Sequence, residues 1–277
     1  MHMLRQNRRS WLLSLKGEVL RAYILAGGLG TRMSEKTHLV PKPMVDVGGK
    51  PLIWHIMKSL SLQGLREFVI LAGYKAEVIF DFFANYHLRQ GTITVSTQSG
   101  VVNFTKPRED WHVTVIDTGA ETMTGGRLAR GLAAMKESES FLFTYGDGLS
   151  DVRIPRVREL HMSRNALVTL TAVRPVGRFG ALQIESNEVL DFSEKPSGDN
   201  QWVNGGYAIA EPELRDFIPS DKTVLETQTL PELARSNNLA AYQHFGYWKA
   251  VDTMNDHRIV EEMIARGEHP WLGVEDV

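Results

Sequence analysis

Residues 22–26, Ala-Tyr-Ile-Leu-Ala, form a short apolar run that stops at Gly27-Gly28. A run of that length, β-branched and aromatic and closed by glycines, predicts a strand buried on both faces. The pattern returns at Phe68–Ala72, closed by Gly73, and at Phe141–Tyr145, closed by Gly146. Between the first two runs, Pro51 suits a first helical turn, and Leu52, Ile53, Ile56, Met57 and Leu60 recur at helical spacing up to about Gly64. Residues 77–86 predict a second helix. Strands alternating with helices through short loops require crossover connections, hence parallel strands. The expected fold is α/β: a Rossmann-like mixed, mostly parallel sheet flanked by helices.

The later chain continues in this vein. Residues 92–116 alternate polar and apolar, as in Thr92-Ile93-Thr94-Val95-Ser96 and His112-Val113-Thr114-Val115-Ile116. They predict two half-exposed strands around a polar loop at Lys106-Pro107-Arg108, a small β insertion. A helix is expected from about Gly126, strands at 166–173 and 189–192, and helices at 226–234 and 255–266, the last ended by Gly267. No internal repeat or long linker interrupts the pattern, so 21–277 reads as a single domain.

The chain has 277 residues and a net charge of −2, which provides no general basic field for nucleic acid. It has no cysteine. That excludes disulfides, thiolate metal sites and cysteine nucleophiles, and it fits a cytoplasmic protein. Residues 1–20 carry Arg5, Arg8, Arg9 and Lys16 with no acid before Glu18. Their apolar segment around Trp11-Leu12-Leu13 is too short for a signal core or a membrane span. They are read as an extension outside the fold.

Ligands of open parallel sheets bind at the C-terminal ends of the strands. The loop after residues 22–26 lies at such an end. Gly27, Gly28 and Gly30 can take positive φ and let backbone N–H groups approach an anion. Thr31 and Arg32 follow, and Lys42 stands between Pro41 and Pro43 on a stiff backbone. A Walker A loop is absent. A dinucleotide turn fits poorly, because Met33 replaces its third glycine and two prolines interrupt the following helix. A phosphate site and a plain tight turn both remain open on the glycines alone; the two cations favour phosphate.

Other stretches carry similar pairs of readings. Asp147 between Gly146 and Gly148 suits a hard-cation ligand at a strand end, or is an Asp-Gly turn. Residues 117–128, DTGAETMTGGRL, lead into a helix whose N-terminus could meet an anion, or are capped by Thr122 or Thr124. Lys195, before Pro196, repeats the geometry of Lys42. Asn204-Gly205 offers an amide and a bare backbone, or a β-bulge. Asp252 before Thr253 is a second carboxylate, or a helix cap.

GGLGTR followed by PKPM resembles the signature of the sugar-phosphate nucleotidyltransferases. TGGR, RFGAL at 178–182 and EKP at 194–196 are most similar to the glucose-1-phosphate cytidylyltransferases. The resemblance runs from about Arg21 to Leu272. It implies a nucleotide-diphospho-sugar transferase fold, CTP and glucose 1-phosphate as substrates, Mg²⁺ as cofactor, a homo-oligomer, and a place in making CDP-glucose for surface polysaccharides such as O-antigen.

By that resemblance Leu25, Ala26, Gly27, Gly28, Gly30, Thr31, Arg32, Lys42, Thr122, Arg127 and Gly146 would bind the nucleotide. Glu194, Lys195, Asn204 and Gly205 would bind the sugar phosphate, with Glu226 a further acid there. Asp147 and Asp252 would hold the metal, and Arg32, Lys42 and Lys195 would act catalytically. The chain differs from the resembled pattern at Val40, where a lysine is expected before PKP. The same chemistry with dTTP, UTP or GTP, and a non-catalytic nucleotide-sugar-binding regulator, are the alternative readings.

Overall fold

Ala22–Ala26 (β1) is an interior strand of a seven-stranded sheet. The structure, a computed structural model, describes residues 20–28, 30, 33, 37–89, 91–104, 109–175, 181–185, 188–193 and 201–273. The other strands are Glu67–Ala72 (β2), His112–Asp117 (β3), Phe141–Tyr145 (β4), Val168–Val173 (β5), Val203–Ala210 (β6) and Leu239–Gln243 (β7). Their order across the sheet is β7-β5-β6-β4-β1-β2-β3. β1 is parallel to β2 and β4, β2 to β3, and β5 to β7, whereas β6 is antiparallel to both its neighbours, β4 and β5. The sheet is therefore mixed and mostly parallel, as expected.

Alternation along β1 divides the interior in two. Ala22, Ile24 and Ala26 face one core, with Leu52, Ile53, Ile56, Met57 and Leu60 of the helix Leu52–Leu62 (α1). Tyr23 and Leu25 face the other, with Leu128 and Leu132 of a helix on the opposite side. Side chains alternate across a strand, so a strand with no polar face needs helices on both sides.

The remaining helices are Ala76–Ala84 (α2), Thr124–Met135 (α3, the one carrying Leu128 and Leu132), Ile154–Arg164 (α4), Leu230–Arg235 (α5) and Met254–Ala265 (α6). Among the described residues no helix is long and apolar enough to cross a membrane.

Two predicted elements are redrawn. Ile93–Val95 pairs with Val102–Phe104 as a separate hairpin, while His112–Asp117 joins the main sheet as its edge strand. A surface hairpin and an edge strand with one open face share the same alternation, so only the pairing separates them. The helix predicted over 226–234 opens as a π-turn at Leu225–Thr229 before α5. Pro231 has no N–H for the regular ladder, which places a break there. The extension read at 1–20 lies outside the described residues except for Leu20.

Candidate active site

The C-terminal ends of β1 and β4 lie side by side, and Gly146 N–H donates to the Leu25 carbonyl at 2.9 Å. Against them rests the turn Lys42–Met44, entered from the extended Pro41. Pro43 is buried there. A Cβ on Gly146 would lie 2.6 Å from Pro43 Cγ, so the glycine is what lets the proline bracket seat on the strand ends. Seated, it points Lys42 at Asp147: Nζ is 2.7 Å from Oδ2. The same ammonium donates to Asp252 Oδ1. Burial works against the lysine charge, but the two carboxylates outweigh it and raise its pKa.

Asp252 arrives by a local route. Trp248–Ala250 pairs antiparallel with Gly148–Ser150, and Val251 N–H donates to the Asp147 carbonyl at 2.9 Å. The helix-cap alternative for Asp252 fails. Thr253 is the N-cap of α6 and forms a capping box with Asp256. Asp256 Oδ2 also accepts from the Asp252 and Thr253 N–H groups at 3.3 and 3.0 Å, and Asp256 Oδ1 pairs with Lys249 at 2.6 Å. The backbone at Asp252 is thus held while its carboxylate points at Lys42. Among the described residues no three His, Cys, Asp or Glu side chains gather as a metal cluster. Two carboxylates already sharing one cation suit Mg²⁺, which keeps several positions for water and phosphate oxygens.

The glycine loop departs from expectation in one respect. Gly30 has φ +62°, but Gly27 and Gly28 do not take positive φ. Gly28 is exposed with open space at its α-carbon, while the side chains of Leu25 and Ala26 are buried in the two cores. Thr31 and Arg32 lie outside the described residues, as do Glu194 and Lys195.

Arg127, expected at the nucleotide, is 4% exposed and spends its guanidinium on the protein. Nη2 donates to the carbonyls of Gly27 (2.9 Å) and Ala120 (3.0 Å). Nη1 donates to Thr118 Oγ1 and the Gly119 carbonyl (both 2.8 Å) and to the Ala72 carbonyl (3.2 Å). Burial lowers its pKa against the pull of Asp117. The arginine ties the glycine loop to the end of β2 and the loop before α3 from beneath. Thr122 is buried in that latter loop. Neither Thr122 nor Thr124 caps α3, whose N-cap is Met123 with no side-chain bond. Thr124 Oγ1 instead donates to Glu226 Oε2 at 2.8 Å. A Cβ on Gly126 would lie 2.5 Å from Asp221 Cα, which explains the second glycine of TGGR by packing.

Asn204 and Gly205 follow Val203 at the start of β6. The pairing of β5 with β6 shifts register between Leu170 and Ala172, opposite the glycines, so the β-bulge reading holds there. Trp248 Nε1 donates to the Gly205 carbonyl at 2.7 Å, and Asn204 Oδ1 accepts from Gly206 N–H at 2.9 Å. Tyr145, next to Gly146, donates its hydroxyl to Glu226. Burial and that carboxylate push the phenol pKa well above its ordinary value. Sequence reasoning missed Tyr145, Trp248, Lys249 and Asp256. Tyr145 and Trp248 act on distant partners that nothing local marks, whereas Asp256 is signalled by the Thr253-x-x-Asp256 capping box and pairs with nearby Lys249.

The nucleotidyl transferase family profile matches residues 21–265. The chain belongs to this family. Glucose-1-phosphate cytidylyltransferase of Salmonella typhi is 45% identical over 91% of this chain and 98% of its own length. The probable glucose-1-phosphate cytidylyltransferase of Bacillus subtilis is 38% identical over 91% and 99%. Within the nucleotidyl transferases, this chain belongs with the glucose-1-phosphate cytidylyltransferases. HddC from Yersinia pseudotuberculosis, crystallised with GMP-PN, shares the fold at a TM-score of 0.65 and 24% identity, covering 88% of this chain and 99% of HddC. This nucleotidyl transferase fills the position before PKP with Val40, half-buried against the apolar core rather than offering a further cation.

Proposed function

We propose that this chain transfers a cytidylyl group from CTP to α-D-glucose 1-phosphate, giving CDP-glucose and pyrophosphate. The observation that carries the reading is Lys42 held between Asp147 and Asp252 at the strand ends, in a chain so close to the cytidylyltransferases.

The sugar phosphate attacks the α-phosphorus of CTP through one of its oxygens. A bond from that oxygen to phosphorus forms, and the bond from phosphorus to the bridging oxygen of pyrophosphate breaks. A phosphate monoester has its second pKa near ~6 and is largely dianionic at neutral pH, so the attack needs no general base. This agrees with the histidines: His55, His161 and His257 are buried and bonded to protein groups. Bringing two anions together is then the main task, met by fixed positive charge and by positioning. Lys42 supplies charge beside the α-phosphate. The glycine loop, held from beneath by Arg127, presents backbone N–H groups to the triphosphate. Arg32 binds the leaving pyrophosphate and Lys195 the phosphate of the sugar, with Glu194, Asn204 and Gly205 at the hexose. Asp147 and Asp252 would hold Mg²⁺, which when bound would supply neutralisation of the triphosphate charge.

The test is pyrophosphate release with glucose 1-phosphate, Mg²⁺ and each of CTP, UTP, dTTP, ATP and GTP. Turnover far above the rest with CTP is expected. Preference for another triphosphate overturns the base assignment, and no turnover with any of them overturns the enzymatic reading.

A further inference from the structure

Lys42 has two tasks that one ammonium cannot perform at once. In the proposed reaction it meets phosphate. In this structure it donates to one oxygen of Asp147 and one of Asp252, with its side chain only 12% exposed. We infer that Lys42 is the resident cation of this carboxylate pair in the metal-free protein, and that an incoming divalent cation displaces its ammonium toward the nucleotide phosphates. The inference rests on the proposed reaction for the second half of that movement.

The carboxylates are the fixed members of the trio. The Val251 N–H to Asp147 carbonyl bond joins their backbones directly, the ribbon of Trp248–Ala250 on Gly148–Ser150 runs alongside, and Asp256 clamps the peptide at Asp252. Two fixed like charges side by side repel, and a cation between them relieves that cost. The lysine is the movable member. Its backbone is stiffened by the flanking prolines, but its stem has four rotatable carbons and a point charge without directional demand. A divalent cation competes for the same oxygen lone pairs, and an ammonium left beside it would face strong repulsion.

The direction of release is also set. A Cβ on Gly30 would sit 3.2 Å from Lys42 Cβ, so the stem leaves the backbone directly beside the phosphate-binding loop. Metal entry would therefore deliver a cation to the triphosphate besides the metal itself. By linkage, nucleotide that captures Lys42 strengthens metal binding by the same factor.

The test is Mn²⁺ binding in the absence of nucleotide, read from the electron paramagnetic resonance signal of free Mn²⁺. Lys42→Met, which cannot fill the site, is expected to bind Mn²⁺ about tenfold tighter than wild type, since the metal no longer displaces an ion pair. Equal or weaker binding overturns the inference. Lys42→Gln serves if the methionine variant does not fold. Independently, wild-type crystals with Mn²⁺ and no nucleotide are expected to show Nζ out of hydrogen-bonding reach of both carboxylates. Mn²⁺ on the carboxylates with Nζ unmoved overturns the exchange. Failure here is separable from failure of the proposed function. Wild-type turnover with CTP alongside unchanged Mn²⁺ affinity removes only the exchange. Absent turnover alongside tighter Mn²⁺ binding in Lys42→Met removes only the reaction.

Discussion

Pro43 occupies the space that a side chain on Gly146 would need. The two residues belong to separate segments, and their contact decides where Lys42 points. Gly146→Ala forces either the proline bracket or the end of β4 to shift. Overpacking of this kind costs roughly 1–3 kcal/mol. We expect a small fall in midpoint of thermal unfolding and at least a tenfold loss in kcat. A variant that loses stability but keeps wild-type kcat would separate the bracket from the chemistry.

Lys42→Ala is expected to fold, by circular dichroism, and to lose at least tenfold in turnover, a barrier increase above ~1.4 kcal/mol. Wild-type rates in the folded variant would remove Lys42 from the mechanism.

Asp147→Asn keeps the size of the side chain and removes its charge. Metal-dependent turnover is expected to vanish. An unchanged Mg²⁺ concentration dependence would rule out the metal role of Asp147.

Arg127→Met removes a donor from the carbonyls of Gly27, which is buried, and of Gly119 and Ala120, which are not; Gly27 and Gly119 keep the N–H groups of Tyr74 and Thr122. What is lost is a set of charge-assisted hydrogen bonds, so a loss of about 1–3 kcal/mol in urea unfolding is expected. Hydrogen exchange should rise at the Gly27 loop and at 118–123 together. Arg127→Lys should recover only part of the stability, because an ammonium cannot reproduce the planar fork.

Asp256 contributes a pH-dependent term. Burial raises its pKa, but the hydrogen bonds from Lys249 and Thr253 and the lysine charge outweigh this and leave it below the ordinary value. A depressed folded-state pKa means stability that is present above the unfolded pKa and lost as pH falls through the folded one. Wild-type stability should therefore fall from about pH 4 downward more steeply than that of Asp256→Asn. Parallel pH profiles for the two proteins would show that the pair contributes nothing to folding.

Much of this protein is legible in its local sequence. Runs such as 22–26 and 141–145 name their own strands, since a short β-branched and aromatic run closed by glycine suits a strand buried on both faces. The proline bracket around Lys42 marks itself, and so does Asp147 between glycines. Residues 112–116 were equally visible as a strand, but not their place at the edge of the main sheet, because alternation records one open face without naming the neighbour.

The helix start at TGGR reads as an anion site or a threonine-capped end; its second glycine is a packing site against Asp221. Arg127 looked like a ligand for the nucleotide and is, in this structure, the strut beneath the loop, because its acceptors come from three segments that only folding brings together. The sequence by itself determined the fold class, the residue types at the strand ends and the family to which they belong. The tertiary structure decided that Asp147 and Asp252, 105 and 210 positions from Lys42, share one cation. Contacts at such separations depend on how the sheet is ordered and how its loops dock, and no local pattern of residues encodes them.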